Sequence, residues 1–152
     1  MEQKIKRIPN KEISVFILNG KHEVLLQKRS ANKKFHPNKL ALLHGHVEPK
    51  ETIEHAALRE IKEELGIEVK QADLHIFADG KFNIIEQNFD STYFFYTKCN
   101  LQAKDFTIQQ EELSEVKWFN IEEVIKMLKN QDKTLVYKEN KLPLFEYLKN
   151  IE

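Results

Sequence analysis

Residues 45–67 constrain the fold of this chain more than any other part of its sequence. They read GHVEPKETIEHAALREIKEELGI and predict a helix of about four turns over residues 52–65. Thr52 is a suitable N-cap, because its hydroxyl can accept a hydrogen bond from a backbone N–H of the first turn. Gly66 supplies the left-handed residue that often ends a helix. The segment therefore predicts a central helix with both ends defined.

Two sides of this predicted helix differ in character. Glu60, Glu63 and Glu64 stand at positions i, i+3 and i+4, so their carboxylates gather along one side. Carboxylates this close repel one another unless a cation neutralises them, and the hard ions Mg2+ and Mn2+ prefer carboxylate oxygen. The alternative is a solvated helix surface, on which glutamates at this spacing are common. The adjoining apolar side consists of Ile53, Ala57, Leu58, Ile61 and Leu65.

Residues flanking the three glutamates complete a fixed pattern. It has the spacing Gx5Ex7REUxEExGU, in which U is a bulky aliphatic residue, here Ile61 and Ile67. Residue usage puts a chance match at roughly one in a million or less. This pattern is the Nudix box, and the chain resembles the Nudix hydrolases. The box residues of this chain are Gly45, Glu51, Arg59, Glu60, Glu63, Glu64 and Gly66.

The resemblance implies a hydrolase that depends on Mg2+ or Mn2+ and cleaves a diphosphate linkage in a nucleoside diphosphate-linked compound or a related small molecule. The metal would neutralise phosphate charge, orient a water molecule and lower its pKa, and a carboxylate would then accept the proton. Gly45 would let the backbone approach the metal and offer its carbonyl oxygen. By the motif, the metal ligands are Gly45, Glu60, Glu63 and Glu64, and Glu64 also counts as catalytic.

Two further pairs of residues are site candidates. Glu51 and Arg59, which we place with the catalytic residues, are expected to form a charge-assisted bond that ties the loop before the helix to the helix itself. Several family members carry an additional glutamate in a loop far beyond the box, and Glu112 is the catalytic candidate here. Its neighbour Glu111 is a candidate for substrate binding. The alternative for this second pair is a solvated acidic loop.

Basic residues upstream of the box offer contacts to a phosphate. Arg29 and Lys28 end the second predicted strand and could reach substrate phosphate as a fork and as a point charge, with a surface basic pair as the alternative. Residues 25–37 are similar to the isopentenyl diphosphate isomerase branch of the superfamily. Those enzymes carry a catalytic cysteine directly before the first box glycine, where this chain has His44, and Cys99 lies in a different segment. An isomerase-like hydrolase is therefore the better match.

Alternating and helical patterns predict the remaining elements. Together they indicate an α/β (α+β) arrangement, a mixed sheet between helices on both faces, as in the Nudix fold. Tyr93, Phe95 and Trp118 could stack on a base, with core packing as the alternative. The predicted strands cover 12–18, from 24 onward, 40–43, 72–78, 91–99 and 116–119, and the later helices cover 121–129 and 142–150.

Length and charge limit the function further. The 152 residues predict a single Nudix hydrolase domain over 1–152. Lys and Arg together number 24, as do Asp and Glu, which argues against non-specific nucleic-acid binding. A lone cysteine, no signal sequence and no long apolar run predict a cytoplasmic protein that does not enter membranes.

Three questions stay open at this point. The chain could be an isopentenyl diphosphate isomerase-like enzyme, or a sensor that binds a nucleotide without cleaving it. A homodimer, frequent in the family, is an alternative to a monomer. The substrate is a small-molecule diphosphate whose other half the sequence does not specify.

Overall fold

The computed structural model describes residues 11–76, 91–136 and 141–151. Within them, seven strands and three α-helices follow one another in the order β1, β2, β3, β4, α1, β5, β6, β7, α2, α3. The strands are β1 Lys11–Leu18, β2 Glu23–Arg29, β3 Leu40–Ala41, β4 Leu43–His46, β5 His75–Ile76, β6 Ser91–Lys98 and β7 Leu113–Asn120. The helices are α1 Ile53–Leu65, α2 Ile121–Lys129 and α3 Leu142–Lys149.

Strand β1 is central to the sheet, because it has both parallel and antiparallel neighbours. It runs parallel to β6 along its whole length and antiparallel to β4, with Ile13 opposite Gly45. Strand β2 runs antiparallel to β1, β3 and β7. The sheet is therefore mixed. The pairing of β1 with β4 fixes the position of Gly45 relative to the rest of the molecule.

Alternate residues of β1 pack on opposite faces of the sheet. Ile13, Val15 and Ile17 belong to a core cluster shared with α1. Phe16 belongs to a second cluster shared with α2 and α3, where its ring lies 5.1 Å from that of Phe145. Helices thus cover both faces, and the expected mixed sheet between helices is confirmed. Each large apolar side chain buried in this way contributes about 1.5–3 kcal/mol.

The predicted boundaries of α1 are confirmed. The backbone N–H of His55 donates to Thr52 Oγ1 at 3.0 Å, and Gly66 adopts the left-handed conformation with φ 69°. Ile61 and Leu65 are buried as expected, but Ala56 and Glu64 are buried too. The side of α1 that faces the sheet is therefore broader than its apolar residues alone indicate.

Two predicted strands differ from the observed ones, because the length of a strand depends on the strands with which it pairs. The predicted strand over 72–78 is wrong at its start, because Gln71–Asp73 forms a 3-10 turn and β5 keeps only two residues; residues 77–78 lie outside the described part. The stretch 40–43 breaks at Leu42, where the chain changes its partner from β2 to β1. Asn19-Gly20, a pair typical of hairpin turns, lies between β1 and β2, and the positive φ of this turn falls on His22.

Aromatic and sulfur side chains of the later strands pack inside. Phe95 is 1% exposed, and the Trp118 ring lies 6.3 Å from that of Phe106 while its Nε1 donates to the Leu101 carbonyl. Tyr93 and Cys99 pack against the core cluster on the α1 side. Core packing, rather than base stacking, is thus the role that the structure shows. Among the described helices none is long and apolar enough to cross a membrane.

Candidate active site and metal centre

Gly45 and Glu60 meet where β4 passes α1. A Cβ atom added at Gly45 would lie 2.5 Å from Glu60 Oε1 and 2.7 Å from its Cγ, which is closer than real side chains approach. Glycine at this position therefore lets the Glu60 carboxylate lie directly against the backbone of β4. The box glycine and the first box glutamate of the helix are neighbours in space.

Glu51 and Arg59 form the expected bond between the loop and the helix. Arg59 Nε donates to Glu51 Oε2 at 2.8 Å, and its Nη2 donates to Glu51 Oε1 at 3.0 Å, which is a two-pronged contact. The same Nη2 donates to the carbonyl of His46 at 3.0 Å. The guanidinium thus joins the end of β4 and the loop before α1 to the helix.

This contact shifts the pKa of both partners. The hydrogen bonds from Arg59 lower the pKa of Glu51 to about 2, helped by the backbone N–H of Glu48 and by His55. The carboxylate of Glu51 raises the pKa of Arg59, and Glu60 contributes in the same direction. Both groups are therefore charged over the whole range in which an enzyme works.

Arg59 also holds two of the box glutamates. Its Nη1 donates to Glu60 Oε1 at 2.9 Å and to Glu63 Oε2 at 3.3 Å. Burial raises the pKa of Glu60, although Arg59 lowers it, and the neighbouring charges of Glu63 and Glu112 raise it further. Glu63 is half exposed at 50% of its side-chain surface. The carboxylates of Glu60 and Glu63 therefore share the guanidinium of Arg59.

Glu64 is the buried member of the group. The alternative of a solvated helix surface does not hold for this residue, since Glu64 is 5% exposed and packs toward the sheet. Its Oε2 atom has no hydrogen-bond partner, and Gln27 on β2 bonds to its carboxyl group. Burial raises the pKa of Glu64 to about 8, and the charges of Glu60 and Glu112 add to the rise.

Glu112 comes to the same place from the loop before β7. Its charge raises the pKa of both Glu60 and Glu64, which places it beside them, and Lys33 Nζ contacts its Oε2 at 2.5 Å. Glu111, the neighbouring candidate, is exposed. Within the described residues no hydrogen bond or ion pair joins Glu111 to the glutamates of α1. The structure thus separates the two acidic residues of this loop.

The sequence patterns did not identify two residues of this site, Gln27 and Lys33. Gln27 lies in a buried strand, where a polar residue that faces a helix is itself a usable signal. Lys33 belongs to a basic loop that reads as solvated, and it pairs with a residue 79 positions away. A contact across that separation leaves no local pattern.

The donor chemistry of the site fits a hard divalent cation. The side chains offer carboxylate oxygens, one of them buried and lacking a partner, and burial, with a further contribution from mutual repulsion, raises the pKa of Glu60 and of Glu64. Residues 11–76, 91–136 and 141–151 nevertheless contain no gathered group of three or more His, Cys, Asp or Glu side chains. Arg59 and Lys33 contact the carboxylates of Glu60, Glu63 and Glu112 in this structure.

Arg29 lies at the end of β2 and touches His44, the residue before Gly45. Its Nε donates to the Phe35 carbonyl at 3.0 Å, and its Nη1 lies 3.1 Å from His44 Nε2. His44 Nδ1 lies 3.0 Å from the Leu42 carbonyl, which can only accept, so Nδ1 carries the proton and neutral His44 accepts from Arg29 through Nε2. No contact within the described part of the chain joins Lys28 to the α1 glutamates.

Arg29 and His44 also line a small polar cavity. Its volume of about 40 Å3 corresponds to one or two water molecules. The polar side chains on its wall include Glu12, Ser14 and Lys141, which are 5%, 3% and 1% exposed. Charged and hydroxyl groups therefore surround the space next to the box glycine.

Comparison with known families decides the relationship of this chain. The NUDIX domain model matches residues 9–138. The chain belongs to the Nudix family. Its members act as hydrolases on the diphosphate bonds of phosphorus-containing anhydrides. This membership confirms the resemblance drawn from the box.

Individual relatives agree with this assignment. An uncharacterized Nudix hydrolase of Listeria monocytogenes is 37% identical over 114 residues, which is 74% of this chain and 64% of the relative. This chain thus spans less than two thirds of that relative's length. An isopentenyl-diphosphate Delta-isomerase of Photorhabdus laumondii is 33% identical over 85 residues, 55% of this chain and 47% of the isomerase. The crystal structure of DR0079 from Deinococcus radiodurans shares the fold, with a TM-score of 0.71 over 97% of this chain and 90% of that chain at 18% identity.

Proposed function

We propose that this Nudix protein hydrolyses the diphosphate linkage of a nucleoside diphosphate-linked or related small molecule with the help of Mg2+ or Mn2+. One observation carries the proposal: the buried carboxyl group of Glu64, with an unpaired oxygen, is close enough to Glu60 and Glu112 for their charges to raise its pKa. A buried carboxylate without a partner is costly, and a divalent cation is the partner that this set of oxygens would hold.

Different residues would hold the metal, accept the proton and orient the metal-binding carboxylates. Glu60, Glu63 and Glu64, with the carbonyl of Gly45, would hold the metal, which when bound neutralises phosphate charge and lowers the pKa of water. Glu112 stands at the edge of this group with 40% of its side chain exposed, so it can reach a water molecule and accept its proton. Arg59 contacts the carboxylates of Glu60 and Glu63 and orients them.

Arg29 is the residue that we assign to the phosphates. Its guanidinium lies next to His44 and hence next to the box glycine, and two parallel N–H groups suit a phosphate oxygen pair. Lys28 and Glu111 stay weaker candidates for substrate binding, because in the described part of the chain neither contacts His44 or a residue of the box, whereas Arg29 contacts His44.

The isomerase alternative has one observation in its favour, the identity with the Photorhabdus laumondii enzyme. Against it stands His44, the residue directly before the box glycine, where the isomerases carry their catalytic cysteine. The ring of His44 accepts from Arg29 and donates to the backbone, so it is held as a positioning group. Cys99 lies in the core cluster on the α1 side and offers no replacement thiol.

A panel of diphosphate compounds, tested with Mg2+ and with Mn2+, is the direct experiment. Nucleotide sugars, ADP-ribose, dinucleoside polyphosphates, nucleoside triphosphates and isopentenyl diphosphate should be included, with products separated by chromatography. We expect cleavage between the two phosphorus atoms in at least one polar compound. Conversion of isopentenyl to dimethylallyl diphosphate would support the isomerase instead. Tight binding without any product would support a sensor.

Variants connect the activity to the site. Glu64→Gln and Glu63→Gln should abolish turnover while the fold persists, and Glu112→Gln should lower turnover about a hundredfold as expected for loss of a general base. Glu115→Gln, an exposed carboxylate on β7, is the matched control and should retain full activity. Full activity in both α1 variants would refute the metal assignment, and full activity in Glu112→Gln would remove that residue from the site.

A further inference from the structure

Lys33 places a positive charge among the site glutamates. Its ammonium contacts Glu112 Oε2, and its charge lowers the pKa of Glu64, opposing the effect of burial. The side chain is 25% exposed, so most of it is covered by protein. A single lysine thus touches one carboxylate of the site and acts on a second.

The backbone around Lys33 holds it in this position. The N–H of Lys33 donates to the Ser30 carbonyl at 3.1 Å, and the N–H of Ser30 donates to the Glu112 carbonyl at 3.1 Å. Ser30 Oγ donates to the Gln110 carbonyl at 2.8 Å and is part of a residue that is 5% exposed. The loop after β2 is therefore attached to the loop before β7. The contact between Lys33 and Glu112 belongs to this built junction.

Arg59 and Lys33 hold different carboxylates of the site. Arg59 is fixed by Glu51 and by the carbonyl of His46, and it contacts Glu60 and Glu63. The ammonium of Lys33 reaches Glu112 from the loop after β2. Glu112 is therefore the site carboxylate whose position depends on Lys33.

We propose that Lys33 is a positioning residue that holds Glu112 at the edge of the α1 glutamates and whose charge opposes the binding of a divalent cation beside them. The inference rests on the proposed function of the site. The contact with Lys33 fixes the Glu112 carboxylate, and the positive charge reduces the repulsion among the carboxylates of the metal-free protein. The same charge repels an entering metal ion, so Lys33 lowers metal affinity while it keeps Glu112 aligned.

The decisive measurement is Mg2+ affinity by titration calorimetry at pH 9, where the site carboxyl groups are ionised. Lys33→Met removes this positive charge, and we expect Mg2+ to bind about tenfold more tightly, as the loss of a nearby like charge implies. Lys33→Arg keeps the cation and should bind Mg2+ as the wild type does. Lys34→Met is the matched control, because Lys34 is the adjacent lysine in the loop and its ammonium lies over the Phe35 ring. It should leave Mg2+ affinity unchanged.

Turnover should move in the opposite direction. Without its partner Glu112 loses alignment, so Lys33→Met should lower kcat about tenfold on the best diphosphate of the panel, and Lys33→Arg should restore part of it. In the Glu112→Gln background, Lys33→Met should no longer lower kcat, because the carboxylate that Lys33 positions is gone, while the gain in Mg2+ affinity should remain. A loop that was merely structural would give weaker metal binding and lower turnover together.

The outcomes separate this inference from the proposed function. If the wild type binds Mg2+ and cleaves a diphosphate but Lys33→Met binds Mg2+ with unchanged or lower affinity, the inference is wrong and the function stands. If neither protein binds Mg2+, both are wrong. Lys33→Gln serves as a second neutral variant with the same expected gain in affinity, and thermal melts of all variants verify that each is folded.

Discussion

Replacing Glu64 by glutamine should stabilise the metal-free protein at high pH. The folded protein raises the pKa of this carboxyl from 4.5 to about 8, so folding favours its protonated form. The stabilisation is complete below pH 4.5 and is lost as the pH rises toward 8, because the unfolded chain ionises first. A shift of this size corresponds to roughly 5 kcal/mol, which the wild type lacks at pH 9.

Glutamine avoids the buried charge but brings a cost of its own. Its amide must find partners where Oε2 has none, and an unsatisfied buried polar group costs about 1–3 kcal/mol. The net gain at pH 9 is therefore on the order of 2 kcal/mol. For a chain of this length that corresponds to a rise in Tm of roughly 4–8 °C. At pH 5, where the wild-type carboxyl is protonated, the variant should be equally or less stable.

Thermal melts followed by circular dichroism at pH 5, 7 and 9, with a chelator present, test this directly. Glu115→Gln, which changes an exposed carboxylate, should show no such dependence on pH. A difference between Glu64→Gln and the wild type that stays constant from pH 5 to 9 would refute the reasoning. Adding Mg2+ should reverse the order at pH 9, because binding stabilises only a protein whose site can hold the ion.

Three further substitutions have defined outcomes. Gly45→Ala should keep its Tm within a few degrees, since only the flexible end of Glu60 must move, yet lose about a hundredfold in turnover in a steady-state assay. Gly66→Ala should lose about 1–3 kcal/mol in urea unfolding, because alanine is strained at φ 69° and its Cβ would lie 2.7 Å from Thr107 Cβ. Glu51→Gln should lose about 1–2 kcal/mol at pH 7 through its weakened bond to arginine. This last difference should shrink as the pH falls from 4.5 toward 2, the range in which the wild-type carboxylate is protonated, and urea unfolding at several pH values measures it.

Local chemistry explains which parts of the fold could be predicted. The ends of α1 depend on Thr52 and Gly66, whose capping roles are fixed by their own side chains and backbone, and both were predictable. The same holds for α2, where Asn120 accepts from the backbone N–H of Glu122. The start of the strand predicted over 72–78 was wrong because strand length depends on pairing partners. Among the described residues of that stretch, His75 and Ile76 are the ones that pair, with β6.

The candidate site shows the same division. The bond of Glu51 to Arg59 follows from spacing along a single loop and helix, so the box pattern contains it. The burial of Glu64 does not follow, because it requires Gln27 and β2 to lie against the helix. Lys33 could not be found for a similar reason, since nothing in the loop after β2 indicates that it meets the loop before β7.

Charge balance connects the stability of this site to its proposed chemistry. Arg59 and Lys33 supply two positive charges to five carboxyl groups, those of Glu51, Glu60, Glu63, Glu64 and Glu112. Five minus two leaves three uncompensated negative charges if every group is ionised. The raised pKa of Glu64 shows how the metal-free protein reduces this excess, by keeping a proton at the most buried position. A proton and a divalent cation are therefore alternative occupants of the same oxygens. Metal binding must release the proton, so the affinity for Mg2+ must rise with pH until Glu64 is ionised without help.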